Sequence, residues 1–381
     1  MKYSCHLLPP SLRTYHTDHN VHLSQLFIFH GISQTKYFKQ MKALFPLLFV
    51  FLASLSLAQP RFVVQGGSAR VFANINEAIA DAQPGDTLYL PGGGFNLTNA
   101  TIDKTLHWVG AGHYPTFTTA TGTSRIATTL VLTGNADGST FNGIHFQGEL
   151  RMGSPDNETA NITLMRCRVD GTIYLRANDG GNPTLAFSAI ETVFLSPVVG
   201  YNATNCLFRN SIFTGGSSYI SAIHQSLFLN NLIATRNPGW PYSNLSLLQG
   251  CSFNNNIFAH TANLDGVTTC DFNNNIFATT IPLGGTNTFT DNTGDVDMTT
   301  VLESYTGDIF TFSYDHNYHV KADFPQRLNT TDGTEVGIFG TSAPYKEGAV
   351  PFYPYIKSAQ IGAETSNNKL GVSITVEAQT R

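Results

Sequence analysis

Two acidic residues and an arginine recur at one position of a repeated sequence phrase, and they are the first candidates for chemistry. Asp170, Glu191 and Arg209 each stand three residues after the start of a phrase, where strand alternation directs side chains outward. If successive phrases stack at the spacing of neighbouring strands, the two carboxylates lie about 5 Å apart with the arginine beside them. Arg168 flanks Asp170 on the same predicted strand and is a candidate ligand-binding residue.

This predicted stack is compatible with more than one role. Paired carboxylates bind Ca²⁺, or they divide the acid and base roles of glycoside hydrolysis. An arginine beside them is the kind of group with which a uronate lyase abstracts a proton and holds the substrate carboxylate. The non-catalytic interpretation is a cross-strand ladder of ion pairs that satisfies surface charge. The residues leave these interpretations open, and a cofactor, Ca²⁺, is expected only for a lyase.

A second candidate site is the extra length between two of the phrases. The coil from Ser226 to Cys251 is the longest, and its additional residues include Arg236, Trp240 and Tyr242. A loop that projects from a rigid scaffold is a frequent place for function. The two aromatic rings can stack on sugar rings while Arg236 grips a carboxylate or sulfate. The alternative is that the aromatic residues anchor the loop to the protein.

The element that positions these residues is the repeat itself. Its phrases begin at Cys206, Ser226, Cys251 and Cys270, which are 20, 25 and 19 residues apart. A period in this range predicts a solenoid. Apolar residues alternate as in strands, and each phrase bends at an asparagine, a residue that tolerates the left-handed conformation. The bend residues are Asn210, Asn230, Asn255 and Asn274. The sequence therefore predicts an all-β parallel β-helix.

Both ends of the predicted coil carry a different pattern. Ile75, Ala78, Ile79 and Ala82 fall on one face of a short helix, which we expect to close the N-terminal end of the core. Near the C-terminus, Tyr355 to Ile361 and Leu370 to Val376 read as a pair of strands joined by a hairpin loop. We expect this tail to cover outward apolar residues of the repeat, namely Leu207, Leu227 and Leu229.

Two N-terminal stretches carry a resemblance to a known group of proteins. Residues 78–92 read AIADAQPGDTLYLPG, and residues 102–112 read IDKTLHWVGAG. They resemble the opening of pectate-lyase-like right-handed parallel β-helix proteins, and the asparagine column fits the same superfamily. The segment from Tyr318 to Gly340, which includes residues 332–340, resembles the closing segment of secreted bacterial members. The resemblance implies a right-handed, single-stranded β-helix. It implies no single function, because the superfamily includes lyases, hydrolases, esterases, tailspikes and adhesins. The familiar lyase signatures and the paired aspartates of the polygalacturonase branch are not visible.

The residues from Met41 to Ala58 predict that the protein is exported. A basic start at Met41-Lys42, an apolar run and a small-residue end at Ala58 are typical of a secretory signal peptide over 41–58. We then expect residues 1–40 to be a non-native or misannotated extension, with Met41 as the true start. The alternative is a metal-binding tract formed by His16, His19 and His22. We expect the β-helix over 59–340 and an extended tail with a β-hairpin over 341–381.

Charged residues make up only 12% of the chain, with a net charge of −5, so nothing indicates nucleic-acid binding. No later stretch is apolar enough to span a membrane, and we expect a monomer.

The four cysteines that follow the predicted cleavage site are assigned to one inward position of the repeat. Cys167 and Cys206 would then be two layers apart, about 9.6 Å, beyond the reach of a disulfide. Only Cys251 and Cys270 are predicted on adjacent layers. We expect buried free thiols, and the sequence leaves open whether the adjacent pair is bonded.

Two functional hypotheses follow. The first is a secreted or surface protein that binds a polysaccharide or cell-surface glycan without catalysis, through a flank of the coil and the loop around Trp240. The second is a lyase or glycoside hydrolase acting on uronate-type polymers, with its site at Asp170, Glu191 and Arg209.

Overall fold

The chain is described by a computed structural model. The description covers residues 60–98, 100–153, 158–175, 184–235, 244–260, 264–305, 308–351, 354–366 and 369–378. The predicted extension 1–40 and signal peptide 41–58 lie outside these ranges.

In the described residues the secondary structure is almost entirely short strands. The helices are α1 (Ile75–Asp81) and α2 (Met298–Val301), and a single 3₁₀ turn spans Gly134–Ala136. In chain order the strands are β1 (Phe62–Gln65), β2 (Ala69–Phe72), β3 (Thr87–Tyr89), β4 (Gly93–Phe95), β5 (Thr101–Ile102), β6 (His107–Val109), β7 (Ser124–Ile126), β8 (Leu130–Leu132), β9 (Thr140–Asn142), β10 (His145–Phe146), β11 (Leu150–Met152), β12 (Thr163–Met165), β13 (Arg168–Val169), β14 (Ile173–Tyr174), β15 (Ser188–Ile190), β16 (Val193–Phe194), β17 (Val198–Thr204), β18 (Leu207–Arg209), β19 (Ile212–Gly215), β20 (Ile220–His224), β21 (Leu227–Leu229), β22 (Leu232–Thr235), β23 (Leu245–Ser246), β24 (Ser252–Asn254), β25 (Ile257–Phe258), β26 (Leu264–Asp265), β27 (Asp271–Asn273), β28 (Ile276–Phe277), β29 (Thr288–Thr290), β30 (Leu302–Ser304), β31 (Asn317–Val320), β32 (Tyr355–Ser366) and β33 (Lys369–Glu377).

Three long sheets form the sides of a coil. Sheet A has the order β2-β1-β3-β6-β9-β12-β15-β18-β21-β24-β27-β29, sheet B the order β28-β25-β22-β19-β16-β13-β10-β7-β4, and sheet C the order β26-β23-β20-β17-β14-β11-β8-β5. Beyond the antiparallel pairs that β1 makes at the N-terminal edge, the strands of these sheets pair in parallel. The chain thus visits each sheet once per turn, and the predicted all-β parallel β-helix is confirmed.

The core of the coil is a stack of aromatic rings at the spacing of the turns. Phe208, Phe228, Phe253 and Phe272 lie in register on sheet A, and their ring centroids are 4.8, 4.5 and 4.7 Å apart along the stack. This spacing is that of neighbouring strands. The inward Phe of each phrase therefore packs on the Phe of the next turn. At the N-terminal end α1 buries Ile75 and Ala78 against the same core, as predicted.

The corner between sheets A and B is a column of left-handed residues. Asn210, Asn230, Asn255 and Asn274 have φ values of 49°, 53°, 57° and 55°, so the predicted asparagine bends are confirmed. The column continues towards the N-terminus through Glu191, Arg166 and Gly143, whose φ values are 50°, 52° and 66°. Arg and Glu adopt this conformation at a cost that Asn and Gly avoid. Arg166 and Glu191 therefore occupy strained corner positions.

In the phrases that begin at Ser226, Cys251 and Cys270 a second asparagine follows the corner, and it has a different role that the sequence pattern did not reveal. The residue after the corner points inward, and its Oδ1 accepts the N–H of the preceding turn. Asn256 accepts from the Asn231 N–H at 2.9 Å and donates to the Phe228 carbonyl at 2.8 Å. Asn275 repeats this one turn later, with 2.8 Å to the Asn256 N–H. This inner ladder satisfies backbone groups that the corner leaves unpaired.

The predicted register of the upstream turns is wrong. The predicted bends at Gly148 and Gly171 belong to the corner between sheets B and C, and the corner that continues the asparagine column lies at Gly143 and Arg166. Both corners of a turn follow a short strand with an inward apolar residue, and glycine stands at Gly143, Gly148 and Gly171 alike. The sequence pattern therefore does not distinguish one corner from the other. Cys167 therefore does not share the column of Cys206, Cys251 and Cys270. All four thiols are free and buried.

The outer face of sheet B is covered by the segment that follows the coil. Outward residues such as Ile212, Leu232 and Ile257 form a second apolar cluster with Val336 and Ile338 from this segment. The predicted C-terminal hairpin exists as the antiparallel ribbon β32–β33, but it does not cover the repeat as expected. Leu227 remains 45% exposed, and the ribbon itself is exposed. Within the described ranges, no helix is both long and apolar enough to span a membrane.

Candidate functional site

A groove of about 840 Å³ lies on the outer face of sheet A. Its floor is formed by six consecutive turns, β3, β6, β9, β12, β15 and β18. One side is formed by Ala343 and Lys346 from the segment that follows the coil. Six stacked strands span about 24 Å. The groove is thus elongated along the coil axis.

The three residues predicted as one catalytic stack are distributed differently. Arg209 ends β18 and lines the groove, and its register partner on the preceding turn is Ile190. Glu191 lies one residue further, at the corner, in register with Asn210. Asp170 follows β13 and belongs to sheet B. The expected vertical stack is wrong, because the upstream phrase was aligned one corner too late. The catalytic roles of the three residues stay predictions.

Glu191 is locked in a buried ion pair at the edge of the groove. Its Oε2 accepts from the Arg166 Nε at 2.8 Å and from the Lys346 backbone N–H at 3.2 Å. The Arg166 Nη1 also donates to the Val350 carbonyl at 2.9 Å. The Arg166 and Glu191 side chains are only 3% and 6% exposed. Burial raises the pKa of Glu191, and the Arg166 charge opposes that shift. The pair fastens residues 346–350 to the corner column.

Arg209 contributes a positive charge to the groove that no described carboxylate neutralises. Its Nε is buried and makes no hydrogen bond to any described residue, which is costly for a cationic group. Among the described lining residues the cations are Arg166, Arg209 and Lys346, and the single carboxylate is Glu191, which Arg166 already neutralises. The groove therefore presents an excess of positive charge. Arg209 forms no salt bridge with a described residue, so an anionic group in the groove would pair with its guanidinium charge.

Asp170 and Arg168 meet on the other sheet in a polar cluster. Asp170 accepts from the Arg168 Nε at 2.7 Å, and its other oxygen lies 2.7 Å from the His145 Nε2. Burial acts to raise the pKa of Asp170, but the hydrogen bonds from His145 and Arg168 lower it below its ordinary value. The cross-strand hydrogen bond to His145 and the same-strand ion pair with Arg168 are of the kind that the non-catalytic interpretation describes.

A tyrosine from the covering segment closes this cluster. The Arg168 Nη1 donates to the Tyr314 hydroxyl at 2.9 Å, and that hydroxyl donates to the His113 carbonyl at 2.8 Å. The His113 Nδ1 lies 3.2 Å from the same hydroxyl, and its Nε2 is buried without a partner among the described residues. Burial holds the pKa of His113 well below its ordinary value. His113 is therefore neutral at physiological pH.

Other sequence predictions are not addressed by the described residues. Arg236, Trp240 and Tyr242 fall in 236–243, outside the described ranges. In the part of the chain that is described, no group of three or more His, Cys, Asp or Glu side chains is arranged around a common point that a metal ion could occupy. Asp170 and Glu191 lie on different sides of a corner and do not form the carboxylate pair that was expected.

Sequence reasoning missed Lys346 and Asn142, which also line the groove. Lys346 lies in the segment after the coil, where no repeat pattern indicates which face it covers. Asn142 ends β9, and its Oδ1 is buried without a hydrogen-bond partner in the described structure. The only signal for Asn142 is its place in the register, which requires the three-dimensional stacking.

Comparison with known proteins gave no match: no family model fits the chain, and neither a curated protein nor a solved structure matches it.

Proposed function

We propose that this is a secreted or surface-exposed β-helix protein that binds an acidic polysaccharide along the groove on sheet A. The observation that carries the proposal is the position of Arg209, which lines the groove and forms no salt bridge with a described residue, while the only described lining carboxylate, Glu191, is already paired with Arg166. A carboxylate or sulfate on the ligand pairs with this guanidinium. Lys346, which also lines the groove, adds a second contact for such a group.

The shape of the groove favours a polymer over a small molecule. Its floor repeats the same strand position over six turns, or about 24 Å. An extended ligand matches this surface, since outward side chains line the groove at the regular spacing of the turns. Membership in the pectate-lyase-like superfamily, as a secreted bacterial protein, is part of the proposal and is supported by the resemblance of residues 78–92 and 102–112 together with the parallel coil. The loop residues Arg236, Trp240 and Tyr242 are proposed as additional sugar contacts.

The test is retention of acidic polymers by the mature chain. Polygalacturonate, alginate and dextran sulfate are compared with neutral dextran by affinity electrophoresis and calorimetry. We expect binding to at least one acidic polymer and a loss of roughly tenfold or more in affinity in Arg209→Ala, the loss of one charge-assisted contact. The matched control is Arg125→Ala, which removes the same charge from an exposed position on sheet B.

Two results would contradict the proposal. One is binding to none of the acidic polymers. The other is an equal loss of affinity in Arg209→Ala and Arg125→Ala, because that result would assign binding to net charge and not to the groove. A third variant, Trp240→Ala, reports whether the loop contributes to retention.

A second candidate function is cleavage of the same uronate polymers. It is favoured by one observation: Arg209 lines the groove and pairs with no described carboxylate, so its charge is available to a substrate carboxylate. The test follows the absorbance of unsaturated products, and reducing ends for hydrolysis, with and without Ca²⁺. Product formation that is lost in Arg209→Ala or Asp170→Ala would replace the binding-only function. Binding without turnover on the whole panel would retire the enzyme hypothesis.

A further inference from the structure

A second, smaller cavity adjoins the groove at its N-terminal end. It has a volume of about 400 Å³ and lies between the turns that follow β3 and β6 and the chain that leads into β32. Its lining includes Pro91, Val109, Ala111, Pro351, Tyr355 and Ile356, and no described lining residue carries a charge. We call it the apolar pocket. Its size lies within the range of pockets that hold small ligands.

Two polar backbone atoms of one wall, the Ala111 N–H and the Pro91 carbonyl, are already satisfied inside the protein. The buried Ser124 hydroxyl accepts the Ala111 N–H at 2.8 Å and donates to the Pro91 carbonyl at 2.7 Å. The prolines of the lining have no N–H to offer. The wall therefore presents mainly carbon to the cavity, in contrast to the cationic groove beside it. Such a surface favours an apolar group and gives a charged one no partner.

The apolar pocket and the groove share a residue. Val109 lines both, and it stands in one register column with Asn142, Met165, Ile190 and Arg209. Four strand spacings separate Val109 from Arg209, which is about 19 Å. A single sugar residue does not span this distance, whereas an extended polymer that reaches Arg209 can also place a substituent at Val109.

We propose that the apolar pocket takes an apolar substituent, such as an acetyl or methyl group, carried by the acidic polysaccharide that lies in the groove. The preferred ligand is then a substituted acidic polymer and not the bare polyanion. This inference rests on the proposed function, because it requires the polymer to lie along sheet A. It adds a specificity that the positive charge of the groove does not provide.

The experiment compares one polymer in two forms. The probe is whichever of alginate and polygalacturonate the wild-type chain binds more tightly, before and after chemical O-acetylation. We expect the acetylated form to bind roughly fourfold more tightly, the ratio that corresponds to burying one methyl group. The preference should be lost in Ile356→Ser and in Ala111→Leu, which fills the cavity. Ile361→Ser is the control, since Ile361 is 68% exposed on the same ribbon and does not line the pocket.

The possible results separate the two proposals. The pocket assignment is overturned, while groove binding stands, if the wild-type chain binds both forms equally. It is also overturned if Ile356→Ser and Ala111→Leu both keep the preference for the acetylated form. Binding to neither form overturns both. A loss of preference in Ile361→Ser equal to that in Ile356→Ser also rejects the pocket, because it would place the effect on the ribbon as a whole. Circular dichroism verifies that each variant is folded.

Discussion

The Arg166 Nε donates to the Glu191 Oε2 at 2.8 Å, and both residues occupy left-handed corner positions on successive turns, with φ values of 52° and 50°. Two side chains that are poorly suited to this conformation stand where later turns have asparagine. Each is held there by the other and by the segment at 346–350. Their location at the edge of the groove makes the pair the support of one groove wall.

Removal of one member of this pair is expected to be strongly destabilising. Glu191→Gln leaves the Arg166 charge buried without its counterion, at a cost of about 3–5 kcal/mol in the free energy of unfolding. Urea denaturation measures it. Glu303→Gln, on an exposed residue of β30, serves as the control and should change little. The double variant Arg166→Met/Glu191→Leu should recover much of the loss, and a double variant no better than Glu191→Gln would argue against charge burial as the cause.

Three adjacent asparagines are expected to respond differently to the same substitution. Asn256 belongs to the inner ladder and is fully buried, so Asn256→Ala leaves the Asn231 N–H and the Phe228 carbonyl unpaired and costs about 2–4 kcal/mol. Asn255→Ala places alanine at a φ of 57° and costs about 1–2 kcal/mol. Asn254→Ala, on the outer face, should have the smallest effect. Thermal denaturation of the three variants ranks them, and any other order would be inconsistent with the assigned positions.

Because His113 is buried, we expect the free energy of unfolding to fall as the pH drops below neutrality. Its folded-state pKa is held well below the ordinary value by burial and by repulsion from His145 and Arg168, whereas the unfolded chain protonates near pH 6.5. Below that pH the unfolded state binds a proton that the folded state does not, so the free energy of unfolding falls by up to about 1.4 kcal/mol per pH unit from this group. His113→Gln should flatten the dependence between pH 7 and 5. An unchanged slope would show that His113 does not titrate as inferred.

Asp170 is expected to stabilise the protein at neutral pH and to lose this effect in acid. Its pKa is lowered in the folded state, so its ion pairs contribute stability above the ordinary carboxyl pKa near 4, and that contribution is lost as the pH falls through the lowered value. Asp170→Asn should destabilise the protein by about 1–3 kcal/mol at pH 7, and the difference from wild type should shrink towards pH 2–3. Urea midpoints across this range measure it. Polysaccharide affinity at the groove should be unchanged, since Asp170 lies on sheet B.

Lys346 is expected to affect binding without affecting stability. Its backbone N–H holds Glu191, and that bond survives in Lys346→Ala. The side chain, however, faces the groove, so the variant should lose roughly three- to tenfold in affinity for an acidic polymer. The remaining affinity should depend less on salt, because screening acts on one charge fewer. Unchanged affinity and salt dependence would place the anionic groups of the ligand elsewhere.

The sequence was most informative where the repeat is most regular. From Cys206 to Phe277 the period, the inward Phe and the corner asparagines predict the observed coil, because strand alternation and left-handed bends are local properties of each turn. Upstream, the same rules do not distinguish the corner at Arg166 from the corner at Gly171, since both follow a short apolar strand. The predicted alignment was shifted by one corner, so it placed Asp170 on the same sheet as Arg209. In the structure Asp170 lies on sheet B and Arg209 on sheet A.

By itself, the sequence determined that this chain is a stacked parallel coil with an N-terminal helical cap and a C-terminal ribbon, because these features depend on residues near one another in the chain. Only the tertiary structure decided which charged residues face a common groove. Lys346 and Arg209 are brought together by a segment that folds back over the coil, and Arg166 and Glu191 become partners through the stacking of turns. Contacts of this kind join residues far apart along the chain, and no local pattern of residue types encodes them.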